Sequence, residues 1–523
     1  MSEAIKVLKD LIVIFSETCK PANGKKQLTK KRKAREHDSL CKSIDEMLDN
    51  LPKHLNKTPF FDTVVNIEME KALVKAFEKH CLIEHERNRS ASVSGRGDKS
   101  KIFPWDDPET YDDFEKDRKL FKKVVLDNLD KYPHADIGHR PGCKRKDRKY
   151  HLRGYRSKPR KPIMPGSKQN EKNIRMAECI NCKQRFSLLP SFLPREKHYS
   201  IELIGNLLRN IALFGHSVNA VIENMKSSTC GRGLKSKQTV YNWIRWIGTF
   251  HPATLMTRAG ATCSGYFQED EGFEKEPDLR TYTVVMVDPE TQAVWHMDYT
   301  DHVDEDTLSI SFESFLKLIN FSVKGVTKDR WEPSTKALKS VFYRVWIGFC
   351  HLHCLKKFYK ALKDYQKESQ CDSKEVNRLY KIFKNILETS THANSLKAKL
   401  KSLNEKAFDH PLLKVRIDEI RDNAVHYTSN KNRRGITPTT SMVDNFLKIV
   451  KRKLRQVSSF RDKDYTKLLF NALANIRNFV PFLSGAKNAH ESPFMIAQGE
   501  TYDLPWMQTL NMHNAFLFAS GAF

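Results

Sequence analysis

Residues 264–270 read SGYFQED, residues 281–287 TYTVVMV and residues 293–300 AVWHMDYT, and these three stretches decide the fold. Each is rich in aromatic or β-branched residues. The last two flank the turn-forming Asp288, Pro289, Glu290 and Thr291, so the region predicts three strands with a hairpin between the second and third. Downstream, Leu308, Phe312, Phe315, Leu316 and Ile319 recur at helical spacing and predict a helix over about 304–320. VKGVTKD (323–329) predicts a short strand ending in an acid. Residues 334–342 predict another helix, and RVWIGF (344–349) a fifth strand. The order is three strands, helix, strand, helix, strand.

That order is similar to a ribonuclease-H-like α/β core. Such a core carries acids on its first strand, at the end of its fourth and on a later helix. Asp270 and Asp329 fall at the first two positions. Glu271 is the fallback for Asp270, because neighbours on a strand face opposite sides. For the third acid, TTSMVDNFLKIVKRKLR (439–455) predicts an amphipathic helix. Val443, Phe446, Leu447, Val450 and Leu454 form its buried stripe; Asp444, Lys448, Lys451 and Arg455 form the opposite one. An acid followed by three cations suits a carboxylate at a metal site with a DNA backbone held alongside. Three converging carboxylates repel strongly in a low dielectric, and divalent cations relieve that penalty. Two Mg²⁺ (or Mn²⁺) ions about 3.5–4 Å apart serve phosphodiester displacement. Oxygen ligands favour these ions over zinc.

Upstream, residues 199–250 predict a helix-turn-helix. Ile201, Leu203, Ile204, Leu207, Leu208 and Ile211 line one helix, and Val218, Val221 and Ile222 a second. SKQTVYNWIRW (236–246) opens a third with Ser236 as N-cap. Its outward residues Lys237, Gln238, Tyr241, Asn242 and Arg245 have the chemistry to contact bases and phosphates in a major groove.

Further upstream, Cys179 and Cys182 form a Cys-x2-Cys knuckle, which predicts structural zinc. Cys143 and His139 are the expected partner pair, with His134 and His151 as substitutes. The intervening stretch is strongly basic. Residues 137–175 hold fourteen Lys/Arg against Asp147 and Glu171, close to half of the chain's surplus. Zinc would supply the folding energy that this segment lacks.

The whole chain has 523 residues and a net charge of +27, which draws polyanions, nucleic acid above all. A content of 39 % hydrophobic and 29 % charged residues excludes a disordered chain and a membrane protein. No apolar run approaches the ~20 residues that span a bilayer. The N-terminus predicts an amphipathic helix rather than a signal peptide. Eleven cysteines without an export signal predict reduced thiols. Residues 1–130 predict helices of unassigned role, interrupted by a polar linker at 87–97. The remaining domains are expected at 134–190 (zinc-ribbon-like), 199–250 (helix-turn-helix) and 260–480 (catalytic core, with a helical insertion at about 355–430). A tail at 481–523 completes a multidomain α+β chain.

Taken in this order, the blocks resemble a cut-and-paste DNA transposase of the DDE/DDD class. GYFQEDEGF, VKGVTKD and TTSMVDNFLKIVKRKLR match its three catalytic blocks in character. CHLHC (350–354) contains the Cys-x2-His of Mutator-type members, in which a helical insertion precedes the last acid. The last acid is Asp444, where the Mutator pattern has Glu. The four Cys and His residues of 350–354 are expected to position the strand end rather than to hold a second zinc. The resemblance implies Mg²⁺-dependent strand cleavage and strand transfer by Asp270, Asp329 and Asp444. It implies double-stranded DNA as partner, both transposon ends and target, and a homo-oligomer that pairs two ends. Location would be cytoplasmic and nucleoid-associated in a prokaryote, or nuclear in a eukaryote. A transposase-derived DNA-binding protein without activity and a ribonuclease-H-like nuclease are the alternatives.

Overall fold

The computed structural model describes residues 105–519, apart from 132–142, 144–148, 166–170, 196, 229–235, 276–279, 408–409, 455–462, 485, 487 and 503. The expectations for residues 1–104, His134, His139 and Arg455 lie outside the described residues. The described chain is mixed α+β with two sheets.

The larger sheet contains β4 (Tyr266–Lys275), β5 (Arg280–Val287), β6 (Val294–Thr300), β7 (Gly325–Lys328) and β8 (Trp346–Phe349), in the spatial order β6-β5-β4-β7-β8. The first three form an antiparallel meander, and β7 and β8 run parallel to β4. Asp288 fixes the β5–β6 turn. Its side chain accepts from Glu290 N–H (2.9 Å) and Thr291 Oγ1 (3.1 Å), and also ties down Ser264, as an Asx-type turn does. Parallel strands need a crossover. Here α7 (Glu305–Leu316) connects β6 to β7, and α8 (Glu332–Val341) connects β7 to β8. The expected element order is therefore present in the structure. Val284, Val285, Met286 and Val287 on β5 are all buried, the mark of a strand covered on both faces.

The two faces of β4 meet different neighbours. Phe267 packs edge-on against Phe315 of α7 (5.8 Å), and Glu269 accepts a hydrogen bond from Ser334 of α8. Tyr266, Gln268 and Asp270 face the other way. There the segment 433–440 crosses the sheet and leads into α15 (Ser441–Leu454). Ile436 lies against Gly325 and Gly348; a Cβ at either glycine would come within 2.5 Å of it.

Between β8 and this segment stand α9 (His351–Ser369), α10 (Ser373–Thr389), α11 (Ala393–Ala407) and α12 (Pro411–Asp422), bound by a stack of Phe358 on Phe383. Two short turns, α13 (Ala424–Tyr427) and α14 (Ser429–Asn432), then cover β8. Upstream, α3 (Ile201–Ala212), α4 (Val218–Ser228) and α5 (Lys237–Gly248) form a helical trio, followed by α6 (Pro252–Arg258). Ser236 caps α5 by accepting from Gln238 N–H. The smaller sheet is antiparallel, with β1 (Tyr150–Tyr155), β2 (Arg175–Cys179) and β3 (Arg185–Ser187). Helices α1 (Tyr111–Lys116) and α2 (Arg118–Val124) belong with this sheet: Tyr111 donates to Asn173 O and Arg175 Nε to Glu115 O.

The C-terminal stretch expected as a tail is built into the fold. After α16 (Lys463–Phe479), residues form α17 (Pro493–Gln498) and α18 (Trp506–Ala519). Phe494, Met507 and Leu510 are buried, and Gln508 donates to Asp106 O and Ser191 Oγ. A surface tail would leave these apolar residues in water.

Candidate functional site

Asp270 on β4, Asp444 in the first turn of α15 and His353 in the first turn of α9 converge. One ligand atom from each lies within 4.8 Å of the others. Sheet geometry explains the meeting. The parallel register pairs Gln268 with Thr327, so Asp329 comes just past the end of β7, next to the strand that carries Asp270. Next door, β8 ends at Phe349 and Cys350 starts α9, which brings His353 to the carboxyl end of the parallel strands. In open α/β sheets, ligands bind in that crevice.

Burial, then Glu271, Asp329 and Asp444, push the Asp270 carboxyl up to about 7, with His353 opposing. The hydrogen bond with Cys350 raises the His353 imidazole above its ordinary value; Asp270 and Asp444 add to this, while burial opposes it. Burial alone would raise the Cys350 thiol, but His353 and Thr440 draw it below its ordinary value. Thr440 Oγ1 stands 3.4 Å from Cys350 Sγ and 3.5 Å from His353 Nδ1.

Asp329 stands apart from the group of three. Its charge is felt by Asp270, but Lys328 Nζ is 3.9 Å from its Oδ1, and that buried oxygen has no hydrogen-bond partner. The fallback Glu271 points to the opposite face. There the fully buried Lys328 ammonium lies 3.6 Å from Glu269 and 4.0 Å from Glu271. Asp270, not Glu271, therefore faces Asp444.

His353 is the site residue that the reading of CHLHC did not single out. The four residues divide. Cys350 and His353 turn toward Thr440, whereas His351 Nε2 bonds Tyr427 O at 2.7 Å and Cys354 is buried beside Tyr427. Among the described residues they form no joint metal cluster.

The Asp270, Asp444 and His353 set offers two carboxylates and an imidazole. That chemistry fits a divalent cation, and the nitrogen favours Mn²⁺ over Mg²⁺.

A second cluster can hold a metal ion. Cys143, Cys179 and Cys182 bring their sulfurs within 4.8 Å of one another. Cys143 Sγ and Cys179 Sγ are 3.8 Å apart, far beyond the ~2.05 Å of a disulfide. Cys179 ends β2. The chain turns back through Lys183, at φ +57°, whose N–H bonds Cys179 O (2.8 Å). Three thiolates leave one corner of a zinc tetrahedron. His139, the expected fourth ligand, lies outside the described residues. His151 is exposed on β1 and does not join the cluster.

On α5, Lys237, Gln238, Asn242 and Arg245 are exposed and Tyr241 is half-buried. Gln238 donates to Asn242 at 3.0 Å. Tyr241 and Arg245 gather on Tyr465 of α16, with the Arg245 guanidinium 5.2 Å from the ring centre. Their chain partner takes up surface that the sequence alone assigned to DNA. On α15, Lys448 is exposed and bonds Asn445, and Lys451 is half-buried. The next two cations face the helical trio: Arg452 bonds Leu213 O and Lys453 bonds His216 O.

Among the described residues, no helix is long and apolar enough to cross a membrane. The sequence matches no protein-family model and no curated protein.

Proposed function

We propose that this chain is a DDE/DDD-class DNA transposase with a ribonuclease-H-like core, which binds transposon ends and catalyses strand cleavage and strand transfer. One observation carries the reading. Asp270 and Asp444 stand far apart in sequence yet meet at the carboxyl end of a parallel strand pair. Two further features support it: the element order of the sheet and the +27 charge.

Asp270 and Asp444 would hold Mg²⁺ or Mn²⁺, which would supply Lewis-acid activation of the attacking and leaving oxygens; Asp329, the third acid of the reading, would join them once Lys328 releases it. Burial and the neighbouring carboxylates push Asp270 up to about 7, so a bound cation would favour its ionised form. His353, with a ring nitrogen within 4.8 Å of both carboxylates, would complete the ligand set. Lys328 holds the acids of the opposite face in place by charge. Lys237, Gln238 and Asn242 on α5 and Lys448 on α15 face the duplex. Transfer between two ends calls for two copies of the chain.

The test is cleavage of a duplex carrying the element's ends in Mn²⁺ or Mg²⁺. D270N and D444N are each expected to lower cleavage by 10³-fold or more, on the order of 4 kcal/mol of transition-state stabilisation, with DNA binding retained. Equal cleavage by D270N and the parent chain overturns the enzyme reading and leaves a DNA-binding scaffold.

A further inference from the structure

The elements that carry the three aspartates are tied together one pleat below them. Gln268 precedes Asp270 by two residues on the same face of β4. Thr327 precedes Asp329 by two on β7, and Met442 and Val443 come just before Asp444 on α15. All of these meet at one buried side chain and one crossing residue. Gln268 Oε1 accepts from Met442 N–H at 2.9 Å and from Val443 N–H at 3.4 Å. These are first-turn donors, which have no partner within their own helix. Thr440, which precedes α15, has its hydroxyl engaged with Cys350 and His353, so Gln268 caps the helix from another element. Gln268 Nε2 donates to Thr437 Oγ1 at 3.1 Å. Thr437 N–H donates to Thr327 Oγ1, and Thr327 Oγ1 donates to Thr437 O, both at 3.1 Å. Gln268 is 1 % exposed and Thr327 fully buried, so water cannot replace these bonds, and each is costly to leave unmade.

We propose that Gln268, acting through Thr437 and Thr327, is the positioning residue that sets the spacing of Asp270, Asp329 and Asp444. It touches none of the reacting atoms. It fixes the start of α15 to β4, and Thr437 to β7, so the three acids move as one unit. The proposal rests on the reading of those acids as a divalent-cation site.

The experiment uses the full chain and Mn²⁺ alone, with binding followed by the electron paramagnetic resonance signal of free Mn²⁺ and thermal unfolding measured in parallel without metal. Q268M keeps the shape and removes both kinds of bond. T437V removes the Thr437 hydroxyl, and T437S restores it. Q268M and T437V are expected to weaken Mn²⁺ binding by about tenfold or more, as loss of outer-shell partners does, and T437S to return it to within about twofold of the parent. Lower melting points with unchanged Mn²⁺ affinity in both variants overturn the proposal and leave a purely structural role. The T437V and T437S pair decides the matter if Q268M does not fold. If D270N leaves Mn²⁺ binding intact, the cation-site reading falls and takes this inference with it. If Mn²⁺ binding responds as expected but no DNA strand is cut, the inference stands and the transposase reading falls.

Discussion

At the scale of single residues, burial and charge decide protonation. His251 Nδ1 accepts from Ala253 N–H, so its Nε2 carries the proton and donates to His296 Nδ1 at 3.2 Å. His296 Nε2 then donates to Ser311 Oγ, which donates to Asp298, which in turn accepts from Lys467 Nζ. Every donor and acceptor in this chain is assigned, and the chain requires both imidazoles neutral. Burial pushes His296 down to about 4 and His251 well below its ordinary value. A depressed folded-state pKa means that the unfolded chain binds the extra proton first. Stability from His296 is therefore complete above pH ~6.5 and lost as pH falls toward 4, on the order of 3 kcal/mol. Urea unfolding of the parent chain across that window is expected to show the loss, and H296Q a flatter profile from a lower start. Equal slopes for the two would refute the neutral relay. The same scale shows what sequence can reveal about the acids. Alternation along a strand put Asp270 and Glu271 on opposite faces, and only the packing of Asp444 against Asp270 showed which face lines the site. Nothing local in CHLHC says which of His351 and His353 belongs to the site: two residues apart on a helix, they point to opposite sides, and only packing decides what each side meets.

At the scale of elements, α5 is bound to α16 more tightly than its amphipathic pattern reveals. Gly248 ends α5 against the Leu468 carbonyl; a Cβ there would sit 1.8 Å from that oxygen. Asn471 donates to Gly248 O, and Asn475 donates to Ile247 O and Phe250 O. These amides satisfy carbonyls that the helix end leaves open. G248A must drive the two helices apart and is expected to cost about 3 kcal/mol or more, read as a lowered thermal midpoint. An unchanged midpoint would mean that the helices separate freely. Helix α5 itself, its Ser236 cap and its exposed Lys237, Gln238 and Asn242 were legible from spacing alone. Its docking was not. The partner residues lie more than 200 positions away, and periodicity carries no information over that distance.

At the scale of the whole molecule, the basic stretch at 137–175 begins and ends near thiols that come together. Cys143, Cys179 and Cys182 form a cluster that can hold a metal ion, and zinc is the ion that thiolates at this spacing favour. The purified chain is expected to carry about one zinc. C182S, or a strong chelator, is expected to release it and lower the thermal midpoint by loosening this region. Unchanged zinc content and midpoint in C182S would remove the structural-metal reading.

The sequence by itself determined the elements: strands where β-branched and aromatic residues cluster between turns, helices where apolar residues recur at three and four, and the Cys-x2-Cys turn. These depend on forces that act within a few residues. Tertiary structure alone decided which distant groups meet. It set Asp444 beside Asp270, and it brought Met442 of the same helix onto the capping Gln268 amide from 174 positions away. It brought His353 into that group, set Asp329 against Lys328, turned Arg245 onto Tyr465 and buried Phe494, Met507 and Leu510. Such meetings depend on sheet register and helix packing, which integrate over the whole chain, and no short window of residues contains them.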